Sequence, residues 1–160
     1  HLSVILQNSL RLDGHKIDVI NGSVSGSTSS GGLNRAEWTL SESNIDLMIL
    51  SLGANDMLRG INPQETKKNL EEIIKIAIEK NIKVIVAGMI APTSYGIKYK
   101  NFFDNIFDDL SKKYELQLVP FLLEGVAQQS KFNLSDGIHP NDKGTIIISY
   151  TLKEAILENL

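Results

Sequence analysis

The apolar positions of this chain alternate between two spacings. Leu2, Ile5, Leu6 and Leu10 recur every three or four residues, with Ser9 on the same face. They predict a helix that Gly14 is placed to end. Residues 17–20 read as a short strand, followed by a Gly/Ser-rich loop over residues 21–32. Leu33, Ala36 and Leu40, with Trp38 beside them, restart the helical spacing as far as residue 42. Residues 46–52 are almost continuously apolar, as a strand buried on both faces is. Pro63 opens a helix to residue 80 that turns Leu70, Ile73, Ile74 and Ala77 inward. Residues 83–88 form the next buried strand, and residues 99–114 a helix with Phe103, Ile106, Phe107 and Leu110 in register. A short strand over residues 116–120 follows. The helix after Asn141 runs to the end through Ile146, Ile147, Tyr150, Ile156 and Leu157.

Strands alternating with helices predict an α/β fold: three layers, α/β/α and flavodoxin-like, with a parallel sheet covered on both faces. The chain of 160 residues fits one such domain. Ligands of such sheets bind beyond the carboxyl ends of the strands. Three loops are expected there, residues 21–32, 53–62 and 133–143, converging on one edge of the sheet. The series begins with a helix, whereas folds of this kind begin with a strand.

Composition narrows the chemistry. An apolar fraction of 42 % and a charged fraction of 22 % are ordinary for a globular chain. A net charge of −3, with a pI near 5.6, offers no basic face to a phosphate backbone, so no nucleic-acid partner is expected. There is no cysteine, hence no disulfide, thiolate nucleophile or cysteine metal site. That absence is compatible with cytosol and periplasm alike. No apolar run is long enough to span a bilayer. The first residue is His1 rather than methionine, which points to a processed form or a fragment, from which any export signal could already be gone.

The loops carry the unusual residues. Asp136-Gly137-Ile138-His139-Pro140-Asn141 sets a carboxylate three residues before an imidazole, on a turn held by glycine and proline. A serine hydrolase needs such a pair: the histidine takes and returns the nucleophile's proton, and the carboxylate orients the ring. The plainer alternative is a capping aspartate and a surface histidine. Gly53-Ala54-Asn55-Asp56 follows a buried strand directly. Its amide can donate to a developing oxyanion, or Asn55 or Asp56 can simply cap the next turn. Residues 21–32 offer backbone amides to an anion, or form a flexible turn. They lack the Gly-Lys-Ser/Thr ending of a P-loop and the spaced glycines of a dinucleotide fingerprint. Residues 92–99 with Phe102 read as core, or as the wall of an acyl pocket. No His/Asp/Glu cluster has ligand spacing, so no metal is expected.

Taken together these loops resemble the SGNH, or GDSL, hydrolase family, in its branch of bacterial arylesterases, thioesterase I and lysophospholipases. The segment from Val19 to Ser29, with Gly26 at its centre, is similar to the family's second block. The run from Leu52 to Gly60 around Asn55 resembles the third, and Asp136-Gly137-Ile138-His139-Pro140 the fifth. The resemblance implies an acyl-ester hydrolase acting on aryl esters, acyl thioesters or lysophospholipids through an acyl-enzyme. It implies His139 as base and acid, Asp136 as the triad carboxylate, and the Gly26 amide and Asn55 side chain as oxyanion donors. Residues 57–61 are expected to form a mobile loop that closes on the acyl chain. Neither a cofactor nor a metal is implied. Relatives of this kind suggest a periplasmic or secreted location, the cytoplasm being the alternative; oligomeric state is left open.

The family's first block, a strand ending in Gly-Asp-Ser-Leu with the nucleophile, has no counterpart. Asn8-Ser9-Leu10 is the nearest look-alike. A parallel crossover needs a dozen or more residues, and only residues 10–16 separate Ser9 from the next strand. Ser23, Ser25 and Ser27 belong to the oxyanion loop, and Ser51 is expected inside a strand. In this family the first strand lies inside the sheet, so its loss would leave two rows of unpaired backbone groups. The domain is therefore expected to be incomplete at its N-terminus. The rival readings are a non-catalytic binding module on a hydrolase scaffold that has lost its nucleophile, and a flavodoxin-like nucleotide or flavin binder.

Overall fold

The computed structural model describes residues 1–42 and 44–160. Its elements are α1 (Leu2–Leu12), α2 (Ser29–Thr39), β1 (Leu47–Leu50), α3 (Ala54–Leu58), α4 (Pro63–Glu79), β2 (Lys83–Ala87), α5 (Ile97–Tyr114), β3 (Gln117–Val119) and α6 (Asp142–Leu157). Single 3₁₀ turns occupy Thr93–Tyr95 and Ser130–Phe132. The chain is α/β, with a parallel sheet in the order β1-β2-β3. It divides into two compact units, residues 1–21 with 121–160, and residues 22–120.

The larger unit holds the sheet. Leu47 lies beside Lys83 and Leu50 beside Val86 in one ladder, Ile85 beside Gln117 and Ala87 beside Val119 in the other. Parallel strands need covered faces, and β2 has them: Val84 and Val86 are buried, and so is Ile85, which points the opposite way. Leu70, Ile73, Ile74 and Ala77 of α4 and Phe103, Ile106, Phe107 and Leu110 of α5 share one core cluster with Val84 and Val86. These are the inward positions that the helical spacing predicts. Asn62 caps α4 by accepting from Gln64 N, with Pro63 in the first turn where its missing N–H costs nothing.

The smaller unit packs α1 with α6. Leu6 and Leu10 are buried, as are Ile148, Leu152, Ala155 and Ile156. Lys153 Nζ donates to the carbonyl and hydroxyl of Ser9, at 3.3 and 2.9 Å, and pairs with Asp13 at 2.6 Å. Ser9 thus sits inside a helix with its hydroxyl engaged, as its rejection as a nucleophile requires.

Several boundaries differ from expectation. Residues 17–20 form no strand and join no ladder among the described residues; a strand exists only through a partner's backbone. They are held instead by α1: the Val19 N–H donates to Gln7 Oε1 at 2.7 Å, and Arg11 donates to Ile17 O at 3.2 Å and pairs with Asp18. The helix expected from Leu33 begins at Ser29, because Thr28 is its cap and accepts from Gly31 N at 3.3 Å. Ser51 lies just past β1 and is exposed, not inside a strand. Residues 57–61 are not a free loop. Met57 and Leu58 belong to α3, Ile61 N donates to Asp56 O at 2.9 Å, and Tyr99 Oη donates to Ile61 O at 3.0 Å. Residues 92–99 with Phe102 are core only in part: Ile97 is 69 % exposed, whereas Tyr99 packs against the core cluster and stacks between Tyr95 and Phe103.

Gly88 continues β2, and its N–H donates to Val119 O at 2.8 Å. A Cβ there would stand 2.3 Å from the Pro120 carbonyl oxygen, which is backbone and cannot swing aside. Gly88→Ala is therefore expected to destabilise the protein by about 1–3 kcal/mol, the usual cost of overpacking. Thermal or urea unfolding measures this, and an unchanged midpoint would contradict the packing described.

Candidate functional site

In the smaller unit the Asp136–His139 loop is built from its own backbone outward. Asn133 and Pro140 pair as an isolated antiparallel bridge. Inside it Leu134 N donates to His139 O at 2.7 Å, and Gly137 N donates to Leu134 O at 2.9 Å. Asn133 is buried, and its Nδ2 donates to Val126 O at 2.7 Å and Gln129 O at 2.8 Å. Asn141 works on both sides. Its Nδ2 donates to Lys131 O and Asn133 O at 3.0 and 3.2 Å, while its Oδ1 caps α6 by accepting from Lys143 N and Gly144 N. The loop has no regular secondary structure, yet its backbone is pinned at both ends.

Asp136 uses both oxygens. Oδ1 accepts the backbone N–H of Ile138 at 2.9 Å and of His139 at 3.0 Å, and Oδ2 lies 2.6 Å from His139 Nδ1. These donors hold the Asp136 carboxyl at about 2, below its ordinary 3.8; the His139 backbone N–H contributes most, then the imidazole, then the Ile138 N–H. The carboxylate is therefore charged across the neutral range and fixes the ring by Nδ1. Nε2 is the ring nitrogen left to a reacting group, on a side chain that is 65 % exposed. The capping reading of Asp136 is thus too small: it turns the loop and orients the imidazole at once.

In the larger unit the other two candidates come together. Ser27 N donates to Val24 O at 3.1 Å, closing a turn in which Gly26 takes φ +72°, a conformation that a side chain resists. The Gly26 N–H donates to no described residue and Gly26 is exposed. Asn55, in α3, donates from Nδ2 to Ser27 O at 3.0 Å. That bond sets which end of the amide faces the loop and leaves the second Nδ2 hydrogen for another acceptor. Arg59 Nη2 holds Gly26 O at 2.9 Å, and Arg35 Nη1 holds Ser27 Oγ at 2.7 Å.

Next to Asn55, Asp56 is 1 % exposed. Its Oδ2 accepts Ser29 N at 2.7 Å; its Oδ1 accepts Ser29 Oγ at 2.5 Å and Thr66 Oγ1 at 3.1 Å. Asp56 therefore does not cap its own turn but braces the start of α2. The sequence offers Asp56 only as a neighbour of Asn55. Nothing local links it to Ser29 or Thr66, so its burial was not legible. Among the described residues no group of three His, Cys, Asp or Glu could hold a metal ion, and no helix is long and apolar enough to cross a membrane.

Comparison with known proteins gives a consistent result. Residues 3–145 match the GDSL-like Lipase/Acylhydrolase family. The chain is 32 % identical to an arylesterase of Vibrio mimicus over 98 % of its own length and 78 % of the relative's. It is 37 % identical to the esterase TesA of Pseudomonas aeruginosa, over 85 % of this chain and 68 % of that one. Among solved structures, TesA superposes with a TM-score of 0.93 at 32 % identity, covering 99 % of this chain and 88 % of that one. A psychrotrophic esterase EstA from Pseudoalteromonas, inhibited by monoethylphosphonate, gives 0.90 at 28 % identity, covering 96 % of this chain and 84 % of its own. The resemblance carried by the three blocks is thereby borne out, and the chain belongs to the GDSL-like lipase/acylhydrolase family of ester-hydrolysing enzymes.

Proposed function

We propose that this protein hydrolyses carboxylic esters or thioesters through a serine acyl-enzyme, on one domain that the single family match over residues 3–145 supports. The observation that carries the reading is the 2.6 Å contact between Asp136 Oδ2 and His139 Nδ1 on a pinned loop. His139 Nε2 takes the serine proton during attack on the ester carbonyl and returns it to the leaving alcohol or thiol. Water then repeats the attack on the acyl-enzyme with the same base. Asp136 stabilises the imidazolium formed in each step. The Gly26 N–H, which has no acceptor among the described residues, and the second Asn55 Nδ2 hydrogen bind the oxyanion. Aryl esters, by likeness to the Vibrio mimicus arylesterase, and acyl thioesters and lysophospholipids, as the resemblance of the three blocks implies, are the substrate classes.

The nucleophile is assigned to a serine outside residues 1–160, at the end of a strand that adds to the sheet. Two features support this. Strand β1 stands at an edge of the sheet order, and its apolar residues 47–50 border backbone groups with no described ladder partner. The serines inside the chain are poor candidates, Ser9 being held in a helix by Lys153. An edge of that kind invites another strand. A periplasmic or secreted location is proposed by analogy with the family, the cytoplasm being the alternative.

In the full-length gene product, His139→Ala is expected to lower kcat on a short-chain aryl ester by about 10²–10⁴-fold, and Asn55→Ala by about 10²–10³-fold. Wild-type turnover in either variant removes the assignment of that residue. The Asp136 carboxyl should titrate near 2 in a side-chain NMR experiment. Because the folded value is depressed, the stability it contributes is present above the ordinary carboxylate value and is lost as pH falls through about 2. His139→Ala should move the midpoint upward only part of the way, since the two backbone donors remain. A midpoint near 3.8 in the wild-type protein would contradict the geometry of the loop.

A further inference from the structure

Among the described residues of the larger unit, one carboxylate is buried that the proposed reaction does not use. Asp56 is 1 % exposed, and a charge at that depth persists only where its lone pairs are filled. Three donors fill them: Ser29 N, Ser29 Oγ and Thr66 Oγ1. The polarity of the chain of bonds is fixed. Asn69 Nδ2 donates to Ser29 Oγ at 3.0 Å, so the serine hydroxyl must give its own hydrogen to Asp56. Ser29 is the first residue of α2, whose positive end also favours the charge.

What this knot holds is the segment that carries Gly26. Ser29 is three residues after Gly26, and Asp56 is the residue after Asn55. The two chains are therefore tied twice in parallel, by Ser29 to Asp56 and by Ser27 O to Asn55 Nδ2. A third tie, Arg59 to Gly26 O, comes from just past the end of the same short helix. A helix of five residues cannot hold its own position by backbone bonds alone, so α3 depends on such ties.

We propose that Asp56 is a positioning residue for ester hydrolysis: by bracing Ser29 against α3 it keeps the Gly26 amide in register with the Asn55 amide, so that both address one oxygen. This rests on the reading of Gly26 and Asn55 as oxyanion donors. Misplacing a donor by a fraction of its bond length costs rate rather than binding, because the charge it serves exists only in the transition state.

The test is a double-mutant cycle in the full-length protein, with active sites counted by a phosphonate titrant. Asp56→Asn keeps the shape and most of the acceptors but lets one position face Ser29 with the wrong polarity. It is expected to lower kcat per titrated site by about 10–100-fold with KM changed by less than about threefold. In an Asn55→Ala background the same substitution should cost less than about threefold, because the alignment then has little left to align. Ser29→Ala, which spares the buried charge, should lower kcat in the same way by a smaller factor and serves where Asp56→Asn fails to fold. Wild-type kcat per titrated site in the Asp56 variant, or in Ser29→Ala where that stands in, overturns the proposal. An equal fractional loss in both backgrounds also overturns it, by making Asp56 merely structural. In either case Asn55→Ala still loses its activity, so the function itself stands. Wild-type turnover in Asn55→Ala alone sinks the oxyanion reading and this inference together.

Discussion

Loops that leave the ends of parallel strands have no ladder to satisfy their backbone, so side chains must do it. This constraint organises the chemistry-bearing parts of the molecule. Asn133 and Asn141 hold the ends of the His139 loop, Asp136 accepts two of its N–H groups, and Asp56 accepts the first N–H of α2. Each is a short polar side chain whose donors or acceptors lie close to the backbone, the asparagines giving N–H groups to carbonyls and the aspartates accepting backbone N–H groups. Within each unit, the residues that satisfy the chain are also those that, in the proposed reading, orient the reacting groups.

Asp136 shows how tightly the two roles can be joined. One oxygen binds the backbone that makes the turn, the other the imidazole that the turn presents. Loss of the carboxylate would release both, so structure and the proposed proton transfer are hard to separate at this position. At Asn55 the roles are divided: one amide hydrogen is spent on Ser27 O, and the other remains.

The fold was legible where the periodicity was long. The inward faces of α4 and α5 are the residues that the spacing picks out, since seventeen or eighteen residues at helical period leave little ambiguity. Residues 17–20 carry a strand's composition but have no neighbour to pair with, and pairing is a tertiary fact that no window contains. The start of α2 was misread because Gly31 and Gly32 look like loop; the Thr28 cap and the brace from Asp56 override their weak helix preference. Of the candidate residues, Asp136 and His139 declare themselves through a spacing of three within one turn. Gly26 and Asn55 needed the resemblance to be noticed, and Asp56 was passed over because its partners lie far along the chain.

One experiment bears directly on the claim that this scaffold serves a serine acyl-enzyme. The full-length protein, treated with an alkyl phosphonate and mapped by peptide mass, should carry a single adduct on a serine outside residues 1–160. The adduct should form far more slowly when His139 is replaced by alanine. An adduct on Ser9, Ser51 or another serine of this chain, or ester hydrolysis that persists with no labelled serine, would contradict the account.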